Sequence, residues 1–483
     1  MKLTNPWSKR RLSRREKLGR FLAQQISRIE IKEQDRNNLL SCFYWSKKGS
    51  ILNKGEVSIP KGTEVDLLSI AAAEIVPVEK LVDLKNGLKK LIHQYRPELN
   101  INNLDYIDEF CDNVASNIHG NRWSNLGYIK FRGDTEIGSF IDRVNIQATQ
   151  VTSSIVVVNF LINPSSKYLS NLTDLIQNNV KGELIFKPKI KGFFKYWNSS
   201  TLPPEIVKRR MLEDQILELK WKLFNTISDY IPAFFYKNNI VAPSLLLYRI
   251  KQKSDIPEKN YFWPSVGLKN GRNYSLSEDK MWYLHEEYFD GLDDSLNILY
   301  NASDDEHFEK QNVDFIIHKA DDFVRSILPM LTVKRYTLFI SEKIALFRVS
   351  SYNSMSIKKI NYKNIINLRL ELERDIHMFN RIKDEFEADY NYYSKLQTES
   401  FDKLLFEYTV NLINKTDDHA KSLTRQFDST IQLATLQTNF SLQRKTVALT
   451  IATIFLALVA IYLTYYQISH NTTEHLFDFW TKY

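Results

Sequence analysis

Residues Val447–Tyr466 read VALTIATIFLALVAIYLTYY, twenty positions without a charged side chain. A helix rises 1.5 Å per residue, so about twenty apolar residues suffice to cross a hydrocarbon core of roughly 30 Å. Inside a bilayer every backbone N–H and C=O must find an internal partner, so such a segment has to be helical. Directly before it, about eighty residues contain neither proline nor glycine, the two residues least favourable to a helix interior. The chain is therefore expected to hang a large N-terminal part from one C-terminal span through a helical stalk.

The flanks suggest an orientation. Arg444 and Lys445 abut the span on its N-terminal side, whereas Gln467, Ser469, His470 and Asn471 follow it, with Glu474 and Asp478 in the tail. An excess of Lys and Arg marks the cytoplasmic side, which would put residues 1–445 inside and leave about sixteen residues outside. Tyr465, Tyr466 and Trp480 suit the outer aromatic belt. Near the N-terminus, Lys9, Arg10, Arg11, Arg14, Arg15, Lys17 and Arg20 form a basic run with no apolar core after it, unlike a secretory signal. With the apolar stripe Leu18, Phe21, Leu22 and Ile26, that run reads as a basic helix attractive to anionic lipid or nucleic acid, or as a solvated face. Cys42 and Cys111 show no paired spacing and read as free thiols of a reducing compartment. The expected location is a bacterial inner membrane, crossed once, with the N-terminus cytoplasmic.

Periodicity gives an α+β class with five parts: a basic N-terminal helical region (1–119), a mixed α/β cytoplasmic domain (120–350), a helical stalk (351–444), a transmembrane helix (445–467) and a short external tail (468–483). Residues 36–118 look largely helical, with a strand-like break at Ile51–Ile59. From Tyr128 the period becomes two, and Tyr128–Arg132, Val151–Ile162, Glu183–Phe186 and Leu246–Ile250 are strand candidates rich in β-branched and aromatic residues. Pro203-Pro204 opens a long helix to about Tyr230; residues 261–280 look like loop; Arg335–Ile340 and Ile344–Val349 look extended. Charge divides this domain. Residues 120–275 hold 22 Lys/Arg against 12 Asp/Glu, whereas residues 278–330 hold 4 against 14. Such a division suggests either strong surface potentials or two mutually attracting lobes.

No catalytic constellation emerges: there is no P-loop, no Rossmann glycine fingerprint, no GxSxG and no HExxH, and the chain is not expected to be an enzyme. No metal or cofactor site is assigned. His285-Glu286-Glu287 with Asp290, Asp293 and Asp294 reads as solvated acidic surface, a weak divalent-cation site being the alternative. The most suggestive binding segment is Phe186–Trp197, with Lys187, Lys189, Lys191 and Lys195 among Phe193, Phe194, Tyr196 and Trp197. Lysines that follow phosphates, interleaved with rings on which bases stack, suit a nucleotide or a single-stranded DNA or RNA oligomer. Lys208, Arg209 and Arg210, and Arg122, Trp123, Lys130 and Arg132, would extend that surface; a basic hairpin lying on the membrane or packed internally is the alternative.

The stalk repeats apolar residues at steps of three and four: Ile365, Leu368, Leu372, Ile376, Phe379, Ile382 and Phe386. A break near Ser400 or Asn414 would fold it back. Below Leu412 the stripe thins to Ala420, Leu423, Phe427 and Ile431, which suggests packing against copies of itself. Through the span, Asn439, Gln443, Thr446, Thr450, Thr453, Ala457, Ala460 and Thr464 follow alternating steps of four and three, making one lane of small or polar residues. Small and hydroxyl residues mark helix contacts in membranes and line narrow pores. A plain anchor whose threonines bond their own carbonyls is the competing reading.

Leu449-Thr-Ile-Ala-Thr-Ile-Phe455, after the long stalk and Arg444-Lys445, resembles the first membrane helix of CorA-type magnesium channels. That resemblance implies a homo-oligomer, a tetramer or pentamer, with stalk helices running into a pore-lining helix. The family's Gly-Met-Asn signature and second membrane helix are absent from this sequence. The layout also resembles membrane effectors of bacterial anti-phage systems, including the Hailong type, which implies a pore gated by a nucleotide or DNA-oligomer signal from a nucleotidyltransferase. The expected function is thus a homo-oligomeric inner-membrane channel effector in anti-phage defence. A divergent divalent-cation transporter, or a tethered enzyme or scaffold with a passive anchor, are the alternatives.

Overall fold

In a computed structural model, the described residues are 59, 62–96, 104–116, 123–178, 180, 183–188, 197–251, 262–269, 271–278, 281–287, 295–302, 313–354, 362–394 and 401–481. The basic run near the N-terminus and Cys42 lie outside them. The chain divides into two units, one made of Met1–Phe339 with Met378–Lys415, the other of Ile340–His377 with Thr416–Tyr483. The class is mixed α+β, as expected.

The first unit is built on an eight-stranded sheet in the order β2-β3-β4-β1-β7-β10-β9-β8, with a separate β5–β6 hairpin. The strands are β1 (Glu64–Pro77), β2 (Trp123–Lys130), β3 (Ile141–Thr152), β4 (Ile155–Pro164), β5 (Glu183–Pro188), β6 (Trp197–Leu202), β7 (Ser244–Lys251), β8 (Gly271–Ser275), β9 (Trp282–Glu287) and β10 (Ser295–Asn301). Pairing in the large sheet is antiparallel except between β7 and β10. The α-helices among the described residues are α1 (Leu81–Tyr95), α2 (Asp105–Ser116), α3 (Ser166–Gln177), α4 (Pro204–Ile227), α5 (Phe234–Lys237), α6 (Phe262–Ser265), α7 (Val313–Ser354), α8 (Tyr362–Ser394) and α9 (Phe401–Thr481).

Residues 261–280, expected to be loop, hold α6 and β8, and two further elements differ from expectation. The first is β1, which falls in the region read as helical. It carries Ala71-Ala72-Ala73-Glu74, good helix formers, yet every residue from Leu67 to Val76 is buried, because β4 and β7 flank it and both faces are covered. Burial on both faces removes the alternation that would reveal a strand. The second is Arg335–Ile340 and Ile344–Val349, which belong to α7 and are not extended. Ile340 and Ile344, four apart, are buried while Leu346 and Val349 are exposed, a helical period.

Neighbouring side chains on β4 point to opposite faces. Phe160 meets Phe224 at 5.5 Å, which lays α4 on one face. On the other, Gln147, paired with Asn159, donates Nε2 to both Asp321 carboxylate oxygens at 2.8 and 2.9 Å, which lays α7 there. At the β3–β4 turn, the Ser153 backbone N–H donates to Glu385 of α8 at 2.6 Å. The basic 120–275 and acidic 278–330 segments are not two lobes: β7 from one and β10 from the other are neighbours in a single sheet.

In the second unit, the end of α7, the start of α8 and α9 from Thr416 pack together. Lys343 of α7 pairs with Asp375 of α8 at 2.7 Å, and Arg369 of α8 pairs with Asp428 of α9 at 3.0 Å. Thr416, Ala420, Leu423, Phe427 and Thr430, at steps of four and three, form the buried seam of α9. One face of the lower stalk is therefore covered by helices of its own chain. Helix α8 ends at Ser394 and α9 begins at Phe401, which places the break near Ser400.

Candidate functional site

The basic-aromatic segment begins and ends in the hairpin, where Lys187 stands opposite Asn198 and Pro188 opposite Trp197. Arg122 and residues 189–196, hence Lys189, Lys191, Phe193, Phe194, Lys195 and Tyr196, lie outside the described residues. Lys130 ends the edge strand β2 and is exposed, as is Arg132 just after it. Trp123 begins β2 with the Arg325 guanidinium 3.7 Å above its ring. On α4 the three consecutive cations diverge by about 100° per residue. Arg210 is exposed and Arg209 half-buried, but Lys208 is fully buried and donates Nζ to the Ser265 carbonyl at 2.6 Å. Lys208 is thus a structural cation, not part of a basic surface, and burial lowers its pKa to about 8.

Beside Arg209 a cavity of about 310 Å³ opens between α4, the strands β7 and β10 and the 266–269 loop, with Arg335 of α7 at its wall. The parallel pairing of β7 and β10 sets Leu246 beside Asn297 and Tyr248 beside Leu299, which places Leu246, Tyr248, Ser295 and Asn297 on one face. Gly267 turns the loop at φ +85°, and a Cβ there would overlap Leu212 Cδ1, so a side chain would close this wall. Lys220 donates Nζ to the Ala242 carbonyl at 2.9 Å and to Ser244 Oγ at 3.0 Å; Ser244 Oγ is 2.8 Å from Ser295 Oγ. Asn297 is 2% exposed, and its Oδ1 has no hydrogen-bond partner among the described residues.

The same loop is held from behind by His285. Its ring stacks on Trp263 at 4.2 Å, Nε2 is 3.0 Å from the Lys269 carbonyl, and Nδ1 is 2.9 Å from Asn273 Oδ1. Burial pushes its pKa down to about 4, so the imidazole is neutral at physiological pH. Sequence reading placed His285 and Glu286 on acidic surface; instead they alternate across β9, His285 buried and Glu286 accepting from the Tyr274 hydroxyl at 2.8 Å. Among the described residues no three His, Cys, Asp or Glu side chains gather as a metal would require. Cys111 is a free, buried thiol whose pKa burial raises to about 11.

Helix α9 carries the apolar span and is the one described helix long and apolar enough to cross a membrane. From Gln432 to Ser469 every side chain with a described burial is exposed, including Asn439, Gln443, Thr446, Thr450, Thr453, Ala457, Ala460 and Thr464. Followed upward at the same steps, their lane passes through Leu436, Gln432, Ser429, Arg425, Ser422 and Asp418, all exposed. These lie two residues, about 200°, from the buried seam of Leu423 and Phe427. The span's lane therefore continues the face of α9 that its own chain leaves uncovered. The hydroxyls of Thr446, Thr450, Thr453 and Thr464 each donate to the carbonyl four residues earlier, at 2.8 to 3.0 Å.

The cavity was missed from sequence because Lys220, Lys269, Asn297 and Arg335 come from four separate elements and share no local spacing. Fold and site together define a mixed α+β protein with one helix fit to span a membrane. No protein-family model, no curated protein and no solved structure matches the chain.

Proposed function

We propose that this protein is a homo-oligomeric inner-membrane channel effector whose cytoplasmic unit responds to a nucleotide-type ligand, acting in anti-phage defence. The observation that carries the reading is the continuity of the Thr/Ala lane with the uncovered face of α9. A second copy of the helix is the natural cover for a lane of small residues in lipid, where close backbone approach supplies the attraction. Ion flux from liposomes tests it. Thr450→Leu with Thr453→Leu should cut flux at least tenfold at unchanged protein incorporation, and unaltered flux sinks the pore assignment.

A passive anchor is the second reading, favoured by the four threonine hydroxyls that already bond their own helix. On that reading, replacing Val447–Tyr466 by leucines retains function and leaves the protein monomeric in detergent; on the channel reading both change.

A further inference from the structure

We infer that the cavity beside α4 binds a phosphorylated small molecule the size of one nucleotide. This deepens the ligand-controlled reading and rests on it for its consequence, though the binding stands or falls by itself. Four cations line the cavity, Arg209, Lys220, Lys269 and Arg335, against one carboxylate, Glu213. Lys220, Lys269 and Arg335 each also interact with the protein, so an anion would add to these interactions and not replace them. Arg209 Nε lies 3.6 Å from Glu213 Oε1, beyond a normal hydrogen bond, so this ion pair leaves the Nε–H unbonded. Like charges lining one recess repel, and a bound anion reverses that term. A phosphate monoester suits it best, since it brings between one and two negative charges and oxygens that match a guanidinium fork.

The rest of the ligand follows from the other lining residues. Asn297 Oδ1 is buried and accepts only, so the ligand must present a hydroxyl or amino donor to it. Leu212, Leu246 and the buried ring of Tyr248 supply apolar surface for a ring. A phosphate, a donor and a flat apolar body together describe a nucleotide. The volume of about 310 Å³ stands at the small end of ligand pockets, roughly 300–1,000 Å³, which suits one nucleotide unit and not the body of an oligomer. Arg335 lies on α7, which continues from the first unit into the second, so the ligand would touch a helix common to both.

Isothermal titration of the full chain in detergent tests the inference with four 5′-nucleoside monophosphates, inorganic phosphate and a 5′-phosphorylated five-nucleotide DNA. At least one monophosphate should bind with a Kd below about 100 µM. Asn297→Ala and Lys269→Glu should each weaken it tenfold or more; Lys269 is a half-exposed loop residue whose substitution leaves its carbonyl in place for His285. Binding unchanged in both variants, or no monophosphate binding at millimolar concentration, overturns the site. Phosphate binding as tightly as the nucleotides overturns the nucleoside half, and oligomer binding with silent monophosphates overturns the size. Monophosphate binding without any response of liposome flux leaves the site standing and removes the gating reading instead.

Discussion

Glu74 sits on the central strand β1 with no exposed surface, and its carboxylate accepts from the Phe235 and Tyr236 backbone N–H groups at 2.7 and 3.0 Å. Those donors start helix α5 and favour the charged form, but desolvation outweighs them and raises the pKa from 4.5 to about 8. Between those two values the folded chain holds a proton that the unfolded chain has lost. Its contribution is therefore fully present below pH 4.5 and is lost as pH rises through about 8. His285 acts in the opposite sense: its folded pKa lies below the unfolded 6.5, so its contribution is present above pH 6.5 and lost as pH falls through about 4. Thermal unfolding followed between pH 5 and 9 should show Glu74→Gln flattening the decline on the alkaline side. His285→Gln should flatten the acidic side while lowering stability at pH 7 through loss of the Trp263 stack. A Glu74→Gln profile that parallels the parent would show that the carboxyl is ionised throughout.

At the scale of the element, α9 is two helices in one. Its upper part has a buried seam, its lower part none, and the change falls after Thr430. Phe427→Ala removes a fully buried ring and should cost about 3–5 kcal/mol in the second unit, read as lost amide-exchange protection around Ile365 and Leu372. Leu436, 53% exposed, and Gln443, also exposed, both lie in the lane, so their change to Ala should leave that protection within about 0.5 kcal/mol. If the uncovered face meets a second copy, the same two changes shift the detergent-solubilised protein toward smaller species by size-exclusion with light scattering. An unchanged elution with both variants argues that the face meets lipid alone.

Across the whole molecule, the folded core does not depend on the span, because no buried side chain is described beyond Thr430. A chain ending at residue 431 should therefore be water-soluble, with the circular dichroism of an α+β protein, and should retain nucleotide binding if the cavity is the site. Insoluble or unfolded product would mean that the lower α9 contributes to folding after all. The same chain should lose liposome association, read by co-flotation. Arg444 and Lys445 lie at the boundary that truncation removes, so the residual basic charge of the soluble chain is not expected to hold it at neutral vesicles.

Much of this was legible along the chain. The span, the stalk period, the break before Phe401 and the strands β2, β4 and β7 rest on local pattern, which a residue's neighbours in sequence determine. The strand β1 was not legible, since burial by β4 and β7 on either side erased its alternation and left a segment that reads as helix. Nor was the inward turn of Lys208, which depends on where the Ser265 carbonyl arrives. The cavity gathers cations from α4, α7 and the 266–269 loop around an asparagine on β10, and only packing brings them within reach of one ligand. The sequence by itself determined where a membrane can be crossed, because twenty uncharged residues are a property of composition. Which face of that helix is left uncovered was decided by the tertiary structure, because the buried seam of α9 depends on helices far away in the chain.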